Sequence, residues 1–309
     1  MMLDASGLAA VEQRVVAALA SGQLHRLDVL GFGEVSTVLG ARGASGNVAC
    51  KRMLPFRDEV SARKAARVVS GYVRALRGRG VDVIDTEVSV VPNAEGYFVV
   101  YCVQPALPER ALAPTYVSGL DMDAAVAACL RVLTKVKEVV SATLAPDGQL
   151  SNWAFVDDAP SDRGEAKRGR LLYLDVTTPF WRDDRRRERF DFAHVLTALP
   201  TVLRAPVRRF ALERTLDTYF TLRGQALDFL GNLQKERLGH LTAALLPLAN
   251  EVLALDPPIS ARTVQRYYAR DARRYAGLQA AARMRCWFQV HVMNRPYPFV
   301  PKPRIHRYS

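Results

Sequence analysis

The chain is poor in the residues that build metal and disulfide frameworks. Its 309 residues include four cysteines and five histidines. Cys50, Cys102, Cys129 and Cys286 stand apart, and no C-x-x-C pair occurs. His25, His194, His240, His291 and His306 do not cluster with them. Neither a zinc site nor a disulfide framework is expected, and reduced thiols fit a cytoplasmic protein. Long apolar runs are also missing. The most apolar stretch, 241–255, contains Pro247, Asn250 and Glu251. It falls short of the roughly 18 uninterrupted apolar residues that a membrane span needs. No basic segment followed by an apolar run opens the chain, so no signal peptide and no membrane partner are expected. Internal repeats and low-complexity tracts are absent too. The formal charge is +12, carried mostly by arginine. Such a balance favours acidic partners, whether nucleotides, phosphates, acidic peptides or nucleic acid. No basic–aromatic interleave, zinc finger or helix-turn-helix pattern is present, so nucleic acid is not the expected partner.

What the chain does have is a spaced set of polar residues. Asp147 lies in Ala145-Pro146-Asp147-Gly148-Gln149, and Asn152 follows five positions later. Asp175 ends an apolar run, Leu171-Leu172-Tyr173-Leu174, that reads as a buried strand. Two carboxylates and an amide so spaced are candidate site residues. Asp-Gly and Asn are also ordinary turn residues, so the rest of the chain has to decide.

Taken in order, Leu8, Val11, Val15 and Leu19 recur at helical spacing after Asp4 and Ser6, which predicts a capped amphipathic helix. Three β-like runs follow at 24–30, 35–39 and 47–53, with a turn at 40–46. Between the first two lies a glycine turn containing Gly31, Gly33, Ser36 and Val38. It reads either as a phosphate-cradling loop or as a plain hairpin turn. Ala49 and Lys51, two apart, share one face of the third run. A helix is expected over 57–76. Its only glutamate is Glu59, either a partner for Lys51 or an exposed acid in the first turn. Strands at 81–91 and 97–103 then lead to Gln104-Pro105-Ala106-Leu107-Pro108, a stiff link. Asp121 and Asp123 open a helix whose stripe is Val126, Cys129, Leu130, Leu133, Val136 and Val140. A hairpin of 153–156 with 170–174 brackets a polar loop at 157–169. Helices are expected at 190–203, 207–238, 240–255 and 261–288, and the tail 295–303 reads as docked on the body.

The joint order of these pieces resembles the protein-kinase-like superfamily, which includes aminoglycoside phosphotransferases and choline kinases, over about residues 23–180. The similarity implies an α+β, two-lobed fold with a β-rich N-lobe over 1–105 and a helical C-lobe over 106–309. It implies ATP held by Gly31, Gly33, Ser36, Val38, Ala49 and Lys51, with Gln104 in the interlobe hinge. Asn152 and Asp175 would ligate Mg²⁺, and Asp147, aided by Lys51, would serve the transfer. Departures are clear. Ala145-Pro146 stand where His-Arg is usual, Asp175-Val176-Thr177 replaces Asp-Phe-Gly, and no A-P-E follows. These changes favour a divergent bacterial-type phosphotransferase of small molecules. A Ser/Thr kinase of a modified peptide and a nucleotide-binding pseudokinase stay open. The cluster Arg182, Arg185, Arg186, Arg187 and Arg189 either attracts an anionic acceptor or is neutralised by Asp183, Asp184 and Glu188. On the helix after Ser260, Val264, Tyr267, Tyr268, Tyr275, Leu278 and Ala282 form one face, and Arg262, Arg266, Arg270 and Arg273 the other. The arginine face is either solvated or a dock for an acidic protein partner.

Overall fold

Five short strands in the first third of the chain build one antiparallel sheet, in the order β1-β2-β3-β5-β4. They are β1 (Val29–Phe32), β2 (Ser36–Gly43), β3 (Gly46–Met53), β4 (Glu87–Pro92) and β5 (Phe98–Pro105). The computed structural model describes residues 2–33, 36–44, 46–156, 169–293 and 297–300. Glu34 and Val35 of the glycine turn lie outside the described residues. So do the polar loop at 157–168 and, in the tail, Arg295, Pro296 and residues 301–303.

Alternation along the strands explains how the sheet is covered. Val48 and Cys50 of β3, with Val99, Tyr101 and Val103 of β5, pack on Leu8, Val11 and Val15 of helix α1 (Ala5–Ser21). The opposite face, with Met53, Val100 and Cys102, packs on Ala62, Ala65, Val69 and Tyr72 of helix α2 (Glu59–Gly78). Both helices start at an aspartate N-cap. Asp4 accepts from the Gly7 amide and Asp58 from the Ser61 amide, which satisfies amides that would otherwise lack partners. One charged pair lies inside the α1 layer. Glu12 and Arg52 are 1% and 3% exposed and bond through both carboxylate oxygens, at 2.8 and 2.9 Å. Tyr101 and Asn93 also donate to Glu12, and Arg52 reaches the Pro298 carbonyl at 3.2 Å. Such a pair adds little net stability, because desolvation offsets most of the attraction.

Among the described residues after Pro105, the regular elements are helices and one hairpin. The elements are α3 (Ala113–Ser118), α4 (Met122–Val139), β6 (Trp153–Val156), β7 (Arg170–Tyr173), α5 (Thr201–Val207), α6 (Glu213–Tyr219), α7 (Leu222–Lys235), α8 (Thr242–Val252) and α9 (Ala261–His291). The α4 stripe of Cys129, Val132, Leu133, Val136 and Val139 is fully buried, in one core with Phe229 and Leu230 of α7 and with the α2 side of the sheet. Burial of each large aliphatic side chain contributes about 1.5–3 kcal/mol. The architecture is therefore α+β, with a β-sheet N-terminal region and a helical C-terminal region. Among the described residues no helix is long and apolar enough to cross a membrane.

Several boundaries differ from those the sequence predicts. The run 24–30 begins with a 3₁₀ turn, Leu24–Arg26, because strand pairing starts only at Val29. The turn expected over 40–46 is tighter, since β2 pairs with β3 residue by residue out to Gly43 opposite Gly46, with Ala44 in the turn. The segment before Glu87 leaves the sheet and pairs instead with the later hairpin: the Tyr173 amide donates to Asp82 and the Ile84 amide to Tyr173. The helix expected over 190–203 is a 3₁₀ stretch, Phe192–Ala198, followed by α5, with Pro200 between them. The helix expected over 207–238 is divided at Phe220–Thr221, where Thr221 caps a new start.

Candidate active site

Strand pairing sets which residues share the sheet face turned away from α1. Gly31, Val38, Lys51 and Cys102 lie side by side across β1, β2, β3 and β5, and Ala49 lies opposite Gln104. Cross-strand partners share a face, so Val38, Ala49, Lys51 and Gln104 all look away from α1. Lys51 Nζ donates to the Leu174 carbonyl at 2.6 Å, and Gln104 Nε2 donates to the same oxygen at 2.9 Å and to Thr86 Oγ1 at 3.1 Å. Burial lowers the Lys51 ammonium from its ordinary value, and the Asp175 carboxylate pulls it part of the way back. Gln104 is not in a hinge loop. It belongs to β5, which runs on to Pro105, and its side chain is buried. That side chain anchors the backbone before Asp175 rather than facing an interlobe linker.

The glycine turn closes on the same segment. Ser36 Oγ lies 3.2 Å from Thr177 Oγ1, and the Gly33 amide donates to the Ser36 carbonyl at 2.9 Å. A Cβ on Gly33 would come within 2.7 Å of Ser36 Oγ, so the approach needs glycine there. Thr177 in turn binds Asp175, which accepts from the Thr177 amide at 3.0 Å, Thr177 Oγ1 at 2.7 Å and Thr178 Oγ1 at 3.3 Å.

The loop 145–152 is held to the hairpin by tyrosines. Asp147 is buried; its amide donates to the Tyr173 hydroxyl at 2.9 Å, and its Oδ1 accepts from the Gln149 amide at 3.1 Å. Tyr72 of α2 donates to the Ala145 carbonyl at 2.8 Å, and the Leu174 amide donates to the Asn152 carbonyl at 2.8 Å. Burial raises both tyrosines well above their ordinary range, which keeps both hydroxyls neutral. Gln225 of α7 completes the brace. Its Oε1 accepts from the Gly148 amide at 2.9 Å, and its Nε2 donates to the Pro146 and Tyr219 carbonyls at 2.7 Å each. Lys51 Nζ, the Asp147 amide and the Asn152 carbonyl thus each bond to Tyr173 or Leu174, next to Asp175. Sequence reasoning missed Tyr72, Tyr173 and Gln225. Tyr173 sat inside an apolar run, and nothing near Gln225 in the sequence marks it.

Other expectations are corrected. Glu59 does not reach Lys51; it is the first residue of α2 and pairs with Arg63 on the surface at 2.5 Å. The buried face of α2 offers only apolar residues and Tyr72. The arginine cluster is largely consumed internally: Arg182 pairs with Glu188 and Asp217, Arg187 with Asp183, and Arg189 stacks over Trp181. Arg270 does not belong only to a solvated face, since it lines a cavity with Tyr267, Arg274 and Tyr275. Among the described residues no three His, Cys, Asp or Glu side chains form a metal cluster. Asp175 and Asn152 supply oxygen donors on half-exposed side chains. Such a pair suits Mg²⁺, which is commonly held by one or two carboxylates together with phosphate oxygens and waters.

The chain matches the model of a family described as "Family of unknown function (DUF6206)" over residues 10–285, and it belongs to that family. No curated protein matches its sequence. Among solved structures, it is similar to "WaaP in complex with acyl carrier protein", with 17% identity, a TM-score of 0.36, and coverage of 77% of this chain and 91% of that one. It is also similar to "MAP kinase LmaMPK10 from Leishmania major", with 10% identity, a TM-score of 0.32, and coverage of 86% and 99%. At these scores the likenesses carry no argument about function.

Proposed function

We propose that the protein is an ATP- and Mg²⁺-dependent phosphotransferase acting on a hydroxyl group of a small molecule. The bonds that tie Lys51, the Asp147 amide and the Asn152 carbonyl to Tyr173 and Leu174, next to Asp175, support this reading. Lys51, with the backbone of the glycine turn, would hold the phosphates, and Asn152 and Asp175 would hold the metal. When bound, Mg²⁺ supplies charge neutralisation on the phosphates. Asp147 orients the acceptor hydroxyl and takes its proton. The acceptor oxygen bonds to the γ-phosphorus, the bond to the β,γ-bridging oxygen breaks, and ADP leaves with that electron pair. With a loose transition state, positioning and electrostatics supply most of the rate. The rigid bracing of the 145–152 loop by Tyr173, Tyr72 and Gln225 suits that demand.

A second reading, a nucleotide-binding pseudokinase, draws on one observation: Lys51 bonds to a backbone carbonyl and has no acidic partner from α2. One experiment weighs both. Calorimetric titration with ATP should show Mg²⁺-dependent binding that Asp175→Ala abolishes. Asp147→Ala should keep binding and lose phosphate transfer, followed by mass spectrometry on pooled metabolites and pooled peptides. ATP bound with no transfer to any acceptor selects the pseudokinase, and label only on peptides overturns the small-molecule acceptor. Absence of ATP binding sinks both readings.

A further inference from the structure

A cavity of about 780 Å³ opens beside the Asp147 loop. Its walls come from α9, the 3₁₀ stretch Phe192–Ala198 with Leu199, the start of α7's neighbour α6, and the tail residues 297–300. Gln149 lines it, and the Gln149 amide binds Asp147 Oδ1, so the cavity reaches the edge of the proposed catalytic loop. Tyr267, another lining residue, feels the Asp147 charge as well as that of Asp228.

The lining has two chemical characters. Leu196, Leu199, Leu278, Phe299 and Val300 form an apolar wall. Arg214, Arg270, Arg274 and Arg283 bring four cations against two carboxylates, Asp228 and Asp271. Asp228 is already engaged, accepting from Tyr267 Oη at 2.8 Å and Asn232 Nδ2 at 3.0 Å. Arg270 and Arg274 are exposed, so the cationic groups meet solvent while the apolar wall lies further in. Gln279 adds a donor without an acceptor. Its Oε1 accepts from Arg283 at 3.1 Å, while its Nε2 is buried and unpartnered among the described residues. A buried donor of that kind costs stability until something accepts from it. The volume falls within the range of small-molecule sites, which combine apolar walls with a few placed polar groups.

We propose that this cavity binds the acceptor, and that the acceptor is an anionic amphiphile: an apolar body, an acidic group held by the arginines, and a hydroxyl directed to Asp147. The role of the hydroxyl rests on the phosphotransferase reading; the amphiphile preference rests on the cavity alone.

The test uses the full-length protein and calorimetry with octyl phosphate, octyltrimethylammonium and inorganic phosphate, each below its micelle concentration. Octyl phosphate should bind at least roughly tenfold more tightly than the other two. Leu278→Trp, which fills the apolar wall, and the surface change Arg274→Glu should each weaken it by about fivefold or more. Circular dichroism checks that Leu278→Trp folds, and Arg274→Glu keeps the test decisive if it does not. Equal binding of the cationic and anionic chains, or octyl phosphate binding that ignores Arg274→Glu, overturns the proposal. Mg²⁺-dependent ATP binding is measured on the same wild-type preparation. If octyl phosphate binds as expected and ATP does not, the phosphotransferase reading falls while the cavity assignment stands; the reverse result removes the cavity assignment alone.

Discussion

Lys51 and Gln104 meet at one atom: both donate to the carbonyl oxygen of Leu174, from neighbouring strands of the sheet. The sheet thereby grips the backbone one residue before Asp175. A carbonyl has two lone pairs, so the two donors satisfy it fully without competing. Position 175 is held relative to Lys51 by this shared acceptor, and the usual carboxylate partner from the helix is not needed for that.

Gln104→Leu should therefore loosen the site from a distance. The change removes donors to Leu174 and Thr86, at a cost of about 2 kcal/mol for two buried bonds. Nucleotide affinity should drop together with melting temperature, because Asp175 loses one of its two anchors. A variant that melts like the wild type would show that Lys51 alone suffices.

Lys51→Met should separate stability from function. Burial lowers the Lys51 pKa, so between that lowered value and the ordinary lysine range the unfolded chain binds more protons than the folded one. Through that window stability rises with pH, and the penalty is fully present at lower pH. Methionine removes the penalty while Gln104 still satisfies Leu174. The net change at neutral pH should stay within about 1 kcal/mol, with ATP binding lost. Denaturant melts at pH 7 and pH 9, in parallel with ATP titration, check both halves. A large destabilisation at pH 7 would contradict this account.

Acid stability should depend on Glu12. Burial alone pushes its carboxyl up, but the hydrogen bonds and charge of Arg52, with Tyr101 and Asn93, outweigh that and hold it below its ordinary value. A depressed carboxylate contributes stability that is present above its unfolded pKa, about 4.3 for glutamate. That contribution is lost as pH falls through the folded value. Glu12→Gln should flatten this acid limb and, by leaving Arg52 buried without its counter-ion, cost about 3–5 kcal/mol at pH 7. Urea titrations of both proteins from pH 3 to pH 7 compare the slopes.

How much of this could be read from the sequence differs by element. The α4 helix and the β6–β7 hairpin have strong local patterns and fold where those patterns place them, while β2 and β3 pair further into the turn than their apolar runs suggest. Lys51, Asp147, Asn152 and Asp175 stand out in the sequence by spacing and order, while the backbone bonds that tie them to Tyr173 and Leu174 do not. The Glu59 question was not, since helix α2 starts at that residue and its first turn points to solvent. Gln104 looked like part of a linker because Pro105 and Pro108 follow it, yet edge-to-edge pairing with β3 carried the strand through. The break at Thr221 was hidden because residues on both sides favour helix, and only the cap and the packing on the 145–152 loop decide it. Long-range braces such as Tyr72 to Ala145 leave no local trace.

Gln225 provides the sharpest test of the loop's bracing. It is 1% exposed and makes three bonds: from the Gly148 amide, and to the carbonyls of Pro146 and Tyr219. Two of these fix the residues on either side of Asp147, although Gln225 makes no bond to Asp147 itself. Gln225→Glu keeps an acceptor for Gly148 but turns the donor to Pro146 and Tyr219 into a second acceptor. Carbonyl against carboxylate is repulsive, so the loop should shift, and an angstrom-scale misplacement of a catalytic group costs about a hundredfold in rate. Gly148→Ala attacks the same contact sterically, since a Cβ there would lie 2.5 Å from Gln225 Oε1. That atom ends a side chain held by two other bonds, which limits how far it can yield. Both variants should lower kcat by at least about tenfold while leaving the Kd for Mg²⁺·ATP within about twofold, since Lys51, Asn152 and Asp175 keep their own anchors. A purely structural role for Gln225 would instead move melting temperature and nucleotide affinity together, and parallel losses in the two variants would reject its role as a positioning residue for Asp147.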